Sequence, residues 1–125
     1  MLATSVDGFL YFGDTSYHTP MLILVTGATG HQGGAVADEL LSRGDHEVRV
    51  LTRRPDSERS AELQDQGADV FSGDLTDLDS LRSAADGVDA IFGVTTGFES
   101  GMDVEVAQGY NLVDAASQTG ARLVF

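Results

Sequence analysis

The sequence predicts an α/β fold, a doubly wound parallel sheet with strand order 3-2-1-4-5, and three observations carry that expectation. Apolar runs of strand length alternate with stretches of helical period, and glycines at 44, 67, 87 and 120 close the helical stretches. The first apolar run, Leu22 to Val25, passes at once into glycines 27, 30 and 33. A helix follows on which Val36, Ala37, Leu40 and Leu41 share a face with Gly33. Strand, glycine turn and helix in this order open a βαβ unit of the nucleotide-binding kind.

Each glycine of the turn has a physical reason. Gly27 permits the sharp exit from the strand, and Gly30 removes a side chain where backbone N–H groups would approach a diphosphate. Gly33 lets the helix pack closely on the sheet. The helix start then faces the phosphates with unpaired N–H donors and partial positive charge. A glycine turn with a purely structural role is the competing reading. The strand, helix and second strand that fall in place around the turn weigh against it.

The first helix is predicted over 31–43, with Gly44 as its stop and Arg43 in the last turn, where a cation suits the dipole. The second strand, 47–52, draws its apolar content from Val48, Val50 and Leu51 and runs into Thr52-Arg53-Arg54-Pro55. An NAD-selective domain of this type places an Asp or Glu at that strand end for the ribose 2′-hydroxyl. Here Arg53 and Arg54 stand there instead and offer a guanidinium fork to a 2′-phosphate, so NADP(H) is expected over NAD(H). The alternative is two arginines fallen together on a loop.

A second helix is expected over 56–66, capped by Asp56, thinly anchored by Ala61 and Leu63, and ended by Gly67. The third strand, 69–71, leads to Asp74 and Leu75, placed to flank an adenine ring, although Asp74 equally fits a turn residue. Thr76 is expected to cap the third helix, with Asp79 completing a capping box and Leu78, Leu81 and Ala85 forming its face. The fourth strand, 90–94, ends in Thr95 and Thr96. Strand order reverses between strands 1 and 4, and ligands of open α/β sheets bind outside the carboxyl ends there, so the stretch from Thr95 to Phe98 should border the nicotinamide. A fourth helix, 102–118, carries Val106, Tyr110, Val113 and Ala116 at helical spacing, and a fifth strand begins at Arg122.

The chain has 125 residues, enough for one domain with a real core. It contains no cysteine, which excludes disulfides, thiolate metal sites and thiol catalysis. No apolar run approaches the roughly 18 residues of a membrane span, and the N-terminus lacks the signal-peptide order, so a cytoplasmic protein is the default. The net charge is −13 and all seven cations are arginine. Such a charge repels nucleic-acid phosphates and anionic membranes. An acid-rich, lysine-free composition resembles that of proteins from salt-loving organisms, and it equally describes a solvated acidic surface.

Residues 1–20 fit neither period for long and are read as a leader without function, with Met21 placed as an initiator would be. Alternatively Tyr11, Tyr17 and His18 belong to a peptide that covers a surface groove. Residues 21–125 form the domain.

From Leu22 to Phe125 the chain resembles the NmrA-like group of atypical short-chain dehydrogenase/reductases, with their Rossmann fold. The likeness rests on Gly27-Ala-Thr-Gly-His-Gln-Gly33, Thr52-Arg53-Arg54-Pro55, Gly67-Ala-Asp-Val-Phe-Ser-Gly-Asp74 and Glu105-Val-Ala-Gln-Gly109. Gln32 is telling, because ordinary members of the superfamily tend to carry an apolar residue there. The resemblance implies NADP(H) held by the turn that contains His31, through Thr29 and Gln32, and by Arg53 at the 2′-phosphate. It further implies contacts from the segment of Phe98 and Glu99.

Two departures qualify it. Some relatives carry a lysine just before Gln108, where this chain has Ala107. Superfamily reductases use a Tyr-x-x-x-Lys pair, but Tyr110 is followed four residues on by Asp114, so no catalytic residue is assigned, nor any metal ligand. Family chains continue past strand 5 into a substrate-binding region, so this sequence reads as the N-terminal, cofactor-holding part. Three functions fit: part of an NADPH-dependent reductase of quinones or carbonyls; a non-catalytic NADP(H) sensor acting through protein partners; or an inactive fragment, with dimerisation available to cover its sheet edge.

Overall fold

The computed structural model describes residues 20–28, 30–93 and 102–124; the side chains of residues 31, 102 and 105 fall outside that description. Among the described residues nine elements alternate: β1 Leu22–Thr26, α1 His31–Arg43, β2 Glu47–Thr52, α2 Glu58–Asp65, β3 Asp69–Ser72, α3 Leu78–Ala85, β4 Ala90–Phe92, α4 Met102–Thr119 and β5 Arg122–Val124. The strands form one sheet in the order β3-β2-β1-β4-β5. Every neighbouring pair is parallel, as in Val25 opposite Val50 and Leu24 opposite Ile91.

The period of two along the strands sorts the core into two layers. Ile23 and Val25 of β1 point to one face and meet Ala37 and Leu40 of α1 and Leu63 of α2. Leu24, Leu51 and Ile91 point to the other and meet Leu81 of α3 and Leu112 and Ala115 of α4. Burial on both faces explains why the strands read as continuous apolar runs. The first helix lies where predicted, and Gly44, at φ 70°, closes it by donating its N–H to the carbonyl of Leu40.

Four local expectations need correction. Ser57 rather than Asp56 caps α2, its Oγ accepting from the Ser60 N–H, because Pro55 and Asp56 are taken up in a turn closed by the Ser57 N–H on the Arg54 carbonyl. Of the two apolar anchors expected on that helix, Leu63 is buried and Ala61 is exposed. Asp77 rather than Thr76 caps α3, accepting from the N–H groups of Asp79 and Ser80, while the Thr76 N–H is spent on Asp74. Of the four residues expected at helical spacing on α4, Ala116 is buried but Val106, Tyr110 and Val113 are exposed, and Gln108, Leu112 and Ala115 are buried instead. The expected extension of the fourth strand to Val94 lies outside the described residues.

Candidate functional site

The order of the strands reverses at β1 and β4, so a crevice opens at their carboxyl ends. Thr26, fully buried, joins the two strands there by donating its hydroxyl to the carbonyl of Phe92 at 3.3 Å. Beyond it the chain turns through Gly27 at φ 66°, a left-handed conformation that side chains with a Cβ rarely adopt. The Gly30 N–H donates back to the Gly27 carbonyl at 3.0 Å, and α1 begins.

Gly33 is fixed by the protein itself. A Cβ there would lie 2.3 Å from the Gly27 carbonyl oxygen and 2.7 Å from that of Thr26, both of them backbone atoms that cannot rotate away. The helix therefore rests directly on the end of β1. Gly30 is different: it is exposed, and among the described residues an added Cβ would touch only the Gly27 oxygen, at an ordinary 3.4 Å. Packing among the described residues does not require glycine at 30.

Among the described residues no side chain caps that head. Gly30 occupies the N-cap position with no side-chain hydrogen bond, and the first turn carries no acidic residue. A 13-residue helix thus presents its initial N–H groups and the positive end of its dipole to the crevice. Gln32 is exposed in the same turn, whereas Thr29 and the side chain of His31 lie outside the described residues.

The second part of the site is the end of β2. Thr52 is buried, and its Oγ1 accepts from the Arg54 N–H at 3.0 Å while its carbonyl accepts from Gly73 at 2.9 Å. Arg53 and Arg54 follow on the exposed loop. The carbonyl of Arg54 is held twice, by the Ser57 N–H at 3.1 Å and by the Ser60 hydroxyl at 2.7 Å.

The end of β3 is tightly built. A Cβ on Gly73 would lie 2.6 Å from Leu51 and 2.7 Å from the Ser80 hydroxyl, so glycine is needed there for packing. Asp74 behaves as the turn residue that its position allowed, its Oδ1 accepting from the Thr76 N–H at 2.9 Å. The Leu75 side chain goes into the core with Leu24, Leu51 and Leu81, and its carbonyl accepts from Asn111 of α4 at 2.7 Å. Thr95, Thr96, Phe98 and Glu99 lie outside the described residues, so the expected nicotinamide border has no geometry here.

Sequence reasoning missed Ser60, Gly73 and Asn111. For Gly73 a signal existed in its place directly after an apolar strand; for Ser60 and Asn111, polar residues within helical periods, there was none.

A five-stranded parallel sheet wound on both faces, with a glycine turn at its reversal point, defines a Rossmann-type domain. The chain belongs to the NmrA-like family, whose profile matches residues 19–125. It is 38% identical over 108 residues to an NmrA-like family domain-containing oxidoreductase from Aspergillus hancockii, covering 83% of this chain and 32% of that protein. Among solved structures it is similar to an NADPH-dependent quinone oxidoreductase from Escherichia coli complexed with NADPH, at 27% identity and a TM-score of 0.65, covering 81% of this chain and 34% of that one. It is likewise similar to the Citrobacter triphenylmethane reductase complexed with NADP(H), at 27% identity and a TM-score of 0.64, with 81% and 34% covered. The chain spans about one third of the length of the relatives it matches.

Proposed function

We propose that this chain is the cofactor-holding part of an NADP(H)-dependent oxidoreductase that reduces a quinone or other carbonyl acceptor. One observation carries the reading: Gly30 heads α1 with no capping side chain, and among the described residues nothing in the packing forbids a Cβ there. Backbone N–H groups at that point suit a diphosphate. Arg53 and Arg54, on the loop where an NAD-selective domain carries a carboxylate, suit the 2′-phosphate. Similarity to reductases complexed with NADP(H) and NADPH supports the same assignment.

The bound nicotinamide would supply hydride. The chain's own residues bind and orient: the turn holds the diphosphate, Gln32 lies exposed beside it, and the buried Thr26 ties the two strands that border the reacting end. Titration with NADPH and NADH by quenching or calorimetry tests the reading. Tighter binding of NADPH, lost on Arg53→Ala, is expected; equal affinities would refute the 2′-phosphate assignment, and no binding of either would refute the whole.

A second reading is a dinucleotide sensor without chemistry. It is favoured by one feature: Tyr110 has no lysine four residues on, the position being taken by Asp114 in an ion pair with Arg82 at 2.9 Å. Absorbance of NADPH followed in the presence of quinones separates the two. Turnover marks a reductase; tight binding without turnover marks a sensor.

A further inference from the structure

The arginine loop does not hold its own shape. Its peptide groups are fixed at three points, and two of the partners lie on the first turn of α2. The Arg54 N–H goes to Thr52 Oγ1, and the Arg54 carbonyl takes both the Ser57 N–H and the Ser60 hydroxyl, the last being the shortest of the three contacts at 2.7 Å. Ser60 is 1% exposed, an unusual place for a serine. Its hydroxyl also accepts from the Ser57 hydroxyl at 3.0 Å, so donor and acceptor capacities are both used and its rotor is locked.

The helix that carries Ser60 is in turn tied to the glycine turn. The neighbouring Arg59 reaches across to α1, its guanidinium donating to the Gly34 carbonyl at 3.2 Å and to Asp38 at 2.7 Å, with Glu62 of its own helix at 3.2 Å. The Asp38 carboxylate, ahead of Glu62, raises the guanidinium pKa still further. Start of α1, start of α2 and arginine loop are therefore one connected unit.

We infer that Ser60 is a positioning residue for dinucleotide selectivity: through the Arg54 carbonyl it holds the arginine loop in register with the glycine turn, so that a 2′-phosphate meets the guanidinium groups without first ordering the loop. The inference rests on the reading of Arg53 and Arg54 as the 2′-phosphate site. It assigns Ser60 a role that contact with the ligand would never reveal. Preorganisation of this kind is spent on one part of the ligand only, so it alters the ratio of two affinities rather than their common level.

The test measures dissociation constants for NADPH and NADH in the wild type, Ser60→Ala, Ser60→Thr, Arg53→Ala and Leu63→Val. Leu63→Val opens a small cavity under the same helix without touching the loop. Loss of one neutral hydrogen bond corresponds to about a threefold to tenfold change. Ser60→Ala should weaken NADPH by that factor while leaving NADH unchanged. Ser60→Thr, which keeps the hydroxyl, should retain the wild-type ratio, and so should Leu63→Val despite its lower stability. If Arg53→Ala loses the preference and Ser60→Ala keeps it, Ser60 has no part in selectivity and the inference fails alone. A wild type without preference overturns the arginine assignment and the inference with it. If Ser60→Ala does not fold, Ser60→Cys takes its place, since it keeps the volume but weakens the hydrogen bond to the Arg54 carbonyl: a lowered ratio beside an unchanged one in Leu63→Val supports the inference, and an unchanged ratio overturns it.

Discussion

Gly30 stands at the N-cap of α1 with φ −92° and ψ −176°, the extended geometry in which a serine cap offers its oxygen to the N–H of the third helical residue. The position therefore forgoes a stabilising cap that its backbone is shaped to accept. Gly30→Ser should raise stability by about 0.3 kcal/mol in urea unfolding, because its hydroxyl accepts from a helix N–H. The same hydroxyl fills the cradle and occupies an N–H meant for phosphate, so NADPH affinity should fall about tenfold or more. Opposite signs in the two measurements are what a binding cradle requires; loss of stability without loss of binding would make Gly30 an ordinary turn glycine. Gly33 behaves otherwise. With backbone oxygen 2.3 Å from its absent Cβ, Gly33→Ala should cost about 3 kcal/mol, at the upper end for overpacking because no side chain can move aside.

At the scale of elements, periodicity located each strand and helix among the described residues but not always the correct side or start. In α1 the glycine at 33 and the apolar residues at 37 and 40 left a single candidate face, and that face is buried. In α4 two stripes compete. Val106, Tyr110 and Val113 are the bulkier, yet the buried stripe is Gln108, Leu112, Ala115 and Ala116, whose apolar members share a core with Leu24, Ile91 and Leu81. Size alone cannot reveal which of two stripes fits a surface set by other elements. Leu112→Ala should accordingly cost about 2–5 kcal/mol, and Val113→Ala less than about 0.5 kcal/mol.

The starts of α2 and α3 depart from the sequence reading for a related reason. Thr76 and Asp77 are both good caps, but a turn closed by the Asp77 N–H on the Asp74 carbonyl brings Asp77 to the helix start, where its side chain and carbonyl accept from Asp79, Ser80 and Leu81. Asp77→Ala should cost about 1 kcal/mol while Thr76→Ala stays within about 0.5 kcal/mol, both read from urea midpoints. The site divides along the same line. Glycines and arginines announced themselves by spacing along the chain, whereas the Ser60 hydroxyl acquires meaning only through a carbonyl presented by a folded loop.

For the whole molecule the deciding quantity is charge: 20 acidic residues against seven arginines, a net −13. Among the described residues Arg43, Arg59 and Arg82 pair with Glu39, with Asp38 and Glu62, and with Asp114. The acidic partners in these pairs are more than a third exposed, so each pair is worth about 0–1 kcal/mol and weakens as salt is added. Repulsion among the many acids weakens too, and its loss acts in the opposite direction. The excess of acids makes repulsion the larger sum. Stability should therefore rise with KCl by about 1–2 kcal/mol, most of it between roughly 0.01 and 0.2 M, where the screening length falls from about 30 Å to below 10 Å. Above that range screening is nearly spent, and any further gain in molar salt must come from exclusion of salt from the surface, which has no plateau. Thermal melts across the series separate the two regimes by their shape. A fall in Tm over the first 0.2 M would mean that the arginine pairs outweigh the acidic surface and that the charge excess is dispersed too widely to strain the fold.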